Sequence, residues 1–235
     1  MDETSEAVVA EIPDQVRLVA FDLDGTLADT FEDIAHATNR VLKAFGCPTL
    51  DTETVKAMVG RGARNLMAAA LGSARETFAD AAAVLWRESY ERYPTDHTRL
   101  YPGVVELLEW LRKHDVRTAI LSNKVDNLTQ RIATAMGLAA RVDFIRGESD
   151  EFPRKPDPAL LDHLLSLYGV RREQTLIVGD SAPDVEFARN ASVAFCGVLT
   201  GQAKREQLEA LGVSWTVETL EVLHRQLEAS GACKG

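Results

Sequence analysis

Five short apolar runs, at residues 16–21, 118–121, 142–145, 175–178 and 193–198, each fit a strand buried on both faces. Helical patterns at 104–114, 127–136, 159–168 and 184–190 alternate with them, and Pro102-Gly103 and Pro158 mark helix starts. Alternation of this kind predicts an α/β fold: an open parallel sheet with helices on both faces, joined by right-handed crossovers. The stretch between the first and second runs is different. Residues 29–96 show no strand pattern, but amphipathic helices at 31–45 and 74–93 and a Gly60-Arg61-Gly62 loop before a helix at 66–71. The predicted organisation is a flexible tail at 1–14, a core made of 15–28 and 97–235, and a helical insertion at 29–96.

Bulk properties restrict the partners. A chain of 235 residues, 46% of them hydrophobic, can bury a sizeable core unaided. A net charge of −10 and a pI near 5.0 argue against binding to nucleic acid or to an anionic membrane, which both need a cationic face. An anionic small molecule would need positive charge placed locally. Cys47, Cys196 and Cys233 form no C-x-x-C pair, so neither a disulfide framework nor a zinc site is expected, and Cys47 and Cys196 read as small core hydrophobes. With no signal-peptide pattern and no apolar run of about 18 residues, the expected location is the cytoplasm. Trp86, Trp110 and Trp215 read as packing residues, and Lys124 and Arg154 as solvated. His36, His97, His114, His163 and His224 share no spacing, and no histidine catalyst or metal cluster is expected of them.

Chemistry enters with Asp22-Leu23-Asp24-Gly25-Thr26, directly after the first apolar run. Two carboxylates two residues apart can divide the work, one attacking an electrophile and the other handling a proton. Gly25 lets the chain turn sharply. Alone, the stretch is also an ordinary Asp-Gly turn. Three further segments accompany it: Leu121-Ser122-Asn123, Lys155-Pro156-Asp157-Pro158 and Val178-Gly179-Asp180-Ser181-Ala182-Pro183-Asp184. Ligands of open parallel sheets sit at the carboxyl ends of strands, and Asp22, Ser122 and Asp180 all fall at such ends. A linear list of residues thereby becomes one spatial site.

Together the four segments resemble the motifs of the phosphatase branch of the haloacid dehalogenase superfamily, over about residues 16–217. The resemblance implies a Rossmann-like core under a helical cap. It implies that Asp22 attacks phosphorus to form an aspartyl-phosphate, while Asp24 protonates the leaving oxygen and then activates water. Ser122 and the Asn123 backbone N–H would hold a phosphoryl oxygen, with Gly25 and Thr26 beside the substrate, and Lys155 would neutralise its charge. Mg²⁺ would be bound by Asp22, Asp180, the Asp24 backbone carbonyl and, directly or through water, Asp184.

The segments Val59-Gly60-Arg61-Gly62-Ala63-Arg64-Asn65-Leu66, Leu100-Tyr101-Pro102-Gly103-Val104 and Ser122-Asn123-Lys124 resemble those of phosphoglycolate phosphatases. On that likeness Arg61 would meet the carboxylate of a small phosphorylated metabolite such as 2-phosphoglycolate. Two features depart from it: residues 197–202 lack an aromatic side chain, and Val125 stands where a proline is usual. A β-phosphoglucomutase-like mutase, a phosphatase for sugar phosphates or nucleotides, and a nonenzymatic binding module are the alternatives. Asp24 and the metal carboxylates speak against a dehalogenase, and Lys43 and Lys56 lack the context of a phosphonatase lysine. A monomer or homodimer is expected.

Overall fold

The computed structural model describes residues 11–233. Most of the tail expected at 1–14 lies outside the described residues, but Ile12 packs against the hydrophobic core.

In chain order the elements are β1 (Leu18–Phe21), β2 (Ala28–Asp29), α1 (Phe31–Ala44), α2 (Thr52–Lys56), α3 (Ala63–Leu71), α4 (Ala79–Arg92) and β3 (Arg99–Leu100). There follow α5 (Val104–Lys113), β4 (Arg117–Val125), α6 (Asp126–Ala135), β5 (Phe144–Glu148), α7 (Ala159–Tyr168) and β6 (Thr175–Gly179). The chain closes with α8 (Ala182–Asn190), β7 (Ala194–Val198), α9 (Arg205–Ala210), β8 (Thr216–Val217) and α10 (Leu220–Ser230).

Six strands form one parallel sheet in the order β5-β4-β1-β6-β7-β8. Its central strands are apolar without alternation because both faces are covered. In β1, Val19 and Phe21 pack into one core layer while Leu18 and Ala20 pack into the other. In β6, Leu176 and Val178 face the first layer and Ile177 the second. Each fully buried side chain of this size contributes about 1.5–3 kcal/mol, which is why a continuous run rather than a period of two marks these strands. From β1 the chain passes to β4 on one side, and β6 later pairs on the other. That reversal opens a crevice at the carboxyl end of β1.

Between β2 and β3 lie the helices α1 to α4, with a 3₁₀ segment at Ser73–Phe78. A single helix over 74–93 is not what forms. Arg75 leaves helical geometry at φ −126°, and α4 begins only at Ala79. None of the residues 73–78 is buried, so no packing holds that stretch in a regular helix. The strands β2 and β3, unexpected from the sequence, pair antiparallel through Ala28–Leu100 and Asp29–Arg99. Strands of two residues are too short to show a period. They tie together the two chain segments that lead into and out of the helical insertion. The C-terminal elements α9, β8 and α10 were also not anticipated. The Val16 amide bonds the Ala232 carbonyl at 2.8 Å and so fastens this region to the start of the core.

Candidate active site

Asp22 is the first residue past β1, and its amide donates to the Val178 carbonyl at 2.9 Å, which continues the sheet pairing one step beyond the strand. Gly25, at φ +89°, then reverses the chain in a conformation that L side chains rarely adopt. The turn is closed by hydrogen bonds from the Gly25 amide to the Ala28 carbonyl and from the Leu27 and Ala28 amides to the Leu23 carbonyl. It brings Asp24 to the hydroxyl of Thr30, which donates to Asp24 Oδ1 at 2.6 Å.

Asp180 follows β6, and Asp184 occupies the first turn of α8. The Thr26 hydroxyl donates to Asp180 Oδ1 at 2.9 Å, and the Gln202 amide donates to Oδ2 at 2.7 Å. A Cβ added at Gly25 or at Gly201 would run into the Asp180 carboxylate. Asp184 Oδ2 accepts from the amide and hydroxyl of Ser181, at 3.1 and 2.6 Å, and forms a capping box that starts α8. Its other oxygen takes a hydrogen bond from Lys155 Nζ at 2.7 Å, and the same ammonium donates to Asp22 Oδ1 at 2.7 Å. Lys155, in the loop between β5 and α7, therefore spans two carboxylates that lie far apart in sequence.

Burial sets the electrostatics. Desolvation, reinforced by Asp184 and Asp24, raises the Asp22 pKa to about 7 against the lowering effect of Lys155. Desolvation and the neighbouring Asp184 and Asp22 also hold Asp180 well above the carboxylate range. For Lys155 burial opposes the charged form, but Asp184 and Asp22 outweigh it and keep the ammonium above its usual range. Carboxylate oxygens of Asp22, Asp180 and Asp184 lie within 4.8 Å of one another. One ammonium paired with two of these three carboxylates leaves negative charge to be balanced, and an all-oxygen donor set suits a hard divalent cation.

Ser122 and Asn123 lie near the end of β4, both buried. Ser122 Oγ accepts from the Lys124 amide at 3.2 Å. The Asn123 side-chain amide donates to the Gly60 carbonyl at 2.9 Å and to the Lys155 carbonyl at 3.1 Å, while its Oδ1 is buried without a partner. Asn123 thus connects the insertion to the loop that presents Lys155.

A crevice with an empty volume of about 610 Å³, its open mouth included, joins these groups. Its polar floor is Asp22, Asp24, Ser122, Asn123, Lys155 and Asp180, and its roof is apolar, with Phe31, Ile34, Leu66 and Trp86 prominent. Gly25 and Thr26 are not among the residues that line the crevice; the Thr26 hydroxyl donates to Asp180. Arg61 does not line it either: its guanidinium pairs with Glu186 of α8 at 2.9 Å and is 53% exposed, because that surface carboxylate lies within its reach. Lys124, read as solvated, is buried in the site. Its Nζ lies 3.2 Å from Asp24 Oδ1, 3.2 Å from the Tyr90 hydroxyl and 4.3 Å from the centre of the Tyr90 ring. Burial lowers its pKa even though Asp24 favours the charged form.

Tyr90 and Gln202 were also missed. Gln202 donates through its side chain to the Lys56 and Val59 carbonyls, at 3.0 and 3.1 Å, while its amide holds Asp180. Only the adjacency of Lys124 to Ser122-Asn123 was a signal available in the sequence.

Residues 19–198 match the family described as haloacid dehalogenase-like hydrolase. A phosphoglycolate phosphatase of Chromobacterium violaceum is 36% identical over 217 residues, covering 89% of this chain and 95% of its own. One from Pseudomonas putida is 34% identical over 213 residues, covering 88% of this chain and 78% of its own. Among solved structures, a predicted phosphoglycolate phosphatase from Haemophilus somnus superposes with a TM-score of 0.82 at 28% identity, covering 90% of this chain and 98% of that one.

Proposed function

Because the chain belongs to the haloacid dehalogenase-like hydrolase family, we propose that it is a Mg²⁺-dependent phosphomonoesterase of the cytoplasm acting on a small phosphorylated metabolite such as 2-phosphoglycolate. The observation that carries the reading is the double carboxylate at the end of β1: Asp22 sits 2.7 Å from Lys155, and Asp24 sits 3.2 Å from Lys124. Residues 15–28 and 97–235 form the catalytic core in this reading, and 29–96 the cap.

Asp22 attacks phosphorus. The bond from phosphorus to the ester oxygen breaks, and Asp24 delivers a proton to the departing alkoxide. Asp24 then takes a proton from the water that hydrolyses the aspartyl-phosphate and releases inorganic phosphate. Lys155 lies against Asp22 and neutralises charge on the transferring group, while Ser122 Oγ and the Asn123 amide receive a phosphoryl oxygen. Asp22, Asp180, Asp184 and the Asp24 backbone carbonyl would hold Mg²⁺. When bound, that ion neutralises phosphoryl charge and helps orient the ester. The apolar roof keeps bulk water from the reacting groups.

The likeness to phosphoglycolate phosphatases supports the substrate class. So does Lys124, a second buried cation in the crevice, which offers charge to a carboxylate carried by the same ester. The three free cysteines suit a reducing compartment.

Phosphate release is the test, measured with Mg²⁺ on 2-phosphoglycolate, sugar phosphates, nucleotides and p-nitrophenyl phosphate, for the wild type and Asp180→Ala. Turnover that needs Mg²⁺, prefers 2-phosphoglycolate and is severely weakened in the variant is expected. Full activity in excess EDTA, or no phosphate from any ester, overturns the reading, and transfer of phosphate within a sugar without its release would mark a mutase instead.

A further inference from the structure

We propose that Glu32, His36 and His97 form a second metal site, of the zinc class, which joins the first cap helix to the segment returning from the cap. The three side chains come together from opposite ends of the insertion. Glu32 and His36 are four residues apart and share one face of α1, and His97 arrives just ahead of β3. Ligand atoms of all three lie within 4.8 Å of one another.

The geometry suits a tetrahedral ion. His97 Nε2 and Glu32 Oε1 are 3.5 Å apart. Zinc bonds of about 2.0–2.1 Å place neighbouring ligands of a tetrahedron roughly 3.3 Å from each other. The His36 and His97 rings meet edge to face with centroids 4.8 Å apart, so a small rotation of the exposed His36 side chain completes the set. Two imidazoles and one carboxylate are a common protein donor set for zinc, and the exposed fourth side is open to water.

His97 is already oriented for this role. Its Nδ1 lies 2.9 Å from Asp33 Oδ1, a contact in which Nδ1–H donates to the carboxylate, so that Nε2 is the ring nitrogen that faces Glu32. Asp33 is itself buried and fixed, accepting from the Thr98 amide at 2.9 Å, the Thr98 hydroxyl at 2.7 Å and the His97 amide at 3.1 Å. A carboxylate that orients a metal-binding histidine from behind is the usual outer partner of such ligands. Imidazole nitrogens select a transition ion over Mg²⁺, in contrast to the all-oxygen cluster of Asp22, Asp180 and Asp184. An ion here would fasten α1 to the returning segment beside the β2–β3 ribbon, the only paired strands that join the two cap connections among the described residues.

The inference is independent of the phosphatase reading. Protein freed of metal with EDTA and dialysed into millimolar Mg²⁺ is titrated with ZnCl₂ by calorimetry, and its melting temperature is followed in parallel. One Zn²⁺ equivalent is expected, with affinity reduced at least about tenfold in His36→Ala and in Glu32→Gln, and a zinc-dependent rise in melting temperature that those variants lack. The zinc-free variants should turn over with Mg²⁺ as the wild type does, since these exposed residues are outside the crevice. If His36→Ala, Glu32→Gln and a His36→Ala/His97→Gln double variant all bind Zn²⁺ like the wild type, the ion sits on the catalytic carboxylates. That result, or the absence of Zn²⁺ binding by folded wild-type protein, overturns the proposal.

Discussion

The floor and the roof of the crevice are built on different principles. On the floor the carboxylates are held by polar partners, most of them distant in the chain: Asp180 by Thr26 and Gln202, Asp184 by Lys155 and by its near neighbour Ser181, Asp22 by Lys155 and the adjoining sheet. The roof is mostly apolar and meets the floor through a few contacts, among them Asn123 to Gly60, Gln202 to Lys56 and Val59, and Lys124 to Tyr90. Net contributions of such hydrogen bonds are about 0.5–1.5 kcal/mol each, small enough to be made and broken during a reaction cycle. The difference sets a polar floor, fixed by ion pairs and hydrogen bonds, against an apolar roof that touches it at few polar points.

The comparison breaks most decisively at Asp22. Asp22→Asn should reduce turnover by at least about a thousandfold while circular dichroism stays that of the wild type, since the amide keeps the shape and loses the nucleophile. Retention of more than about a tenth of the activity would remove Asp22 from that role.

Lys124 lies where the two layers meet. Lys124→Met should lower kcat/KM for 2-phosphoglycolate by about tenfold or more, the scale of losing a hydrogen bond to a charged group. A smaller loss on p-nitrophenyl phosphate, which has no carboxylate, would place Lys124 in recognition. Equal losses on both substrates would place it in the chemistry, through Asp24.

A third measurement concerns the strain in the floor. The Asp22 pKa rises from 3.8 to about 7 on folding, so the folded protein binds the proton more tightly and ionisation weakens it as pH climbs through that window. In EDTA, Asp22→Asn should therefore gain melting temperature relative to the wild type between about pH 4 and pH 7, with the gap levelling above. The gap at pH 8 should exceed that at pH 5 by about 3 °C or more, and a gap that is flat with pH would show that the carboxylate is not under this burden.

The smallest effect is expected at Arg61. An exposed ion pair such as Arg61–Glu186 is worth about 0–1 kcal/mol, so Arg61→Ala should change kcat/KM by less than about threefold on either substrate. A tenfold loss confined to 2-phosphoglycolate would show that the arginine swings into the crevice during turnover and would make the roof a charged recognition surface.

The floor was largely legible in the sequence because its information is local. An apolar run that ends in Asp22 or Asp180 places a carboxylate at a strand end, and parallel topology then gathers those ends. The spacing of Asp180 and Asp184 likewise announces a helix start. What was illegible depended on tertiary approach. Nothing in Lys124 or its neighbours reveals that Tyr90 of α4 will cover it. Arg61 looked suited to an anion, and only the packed structure puts Glu186 within its reach. His36 and His97 lacked a common spacing because they converge through the fold of the whole insertion. The two-residue strands and the break at Arg75 fall below the length at which periodicity carries information.

The two glycines pressed against Asp180 bear on how the protein tolerates variation. Gly25 and Gly201 carry no functional group, and a survey of reactive side chains would treat them as spacers. Yet together they wall in one carboxylate, so that the smallest possible substitution, a single methyl at either position, must displace the carboxylate or the backbone around it. The same enclosure removes alternative rotamers, and the entropy of ordering Asp180 is spent during folding rather than when a ligand arrives. Sequence change at these two positions is thus coupled to a group that neither residue contains.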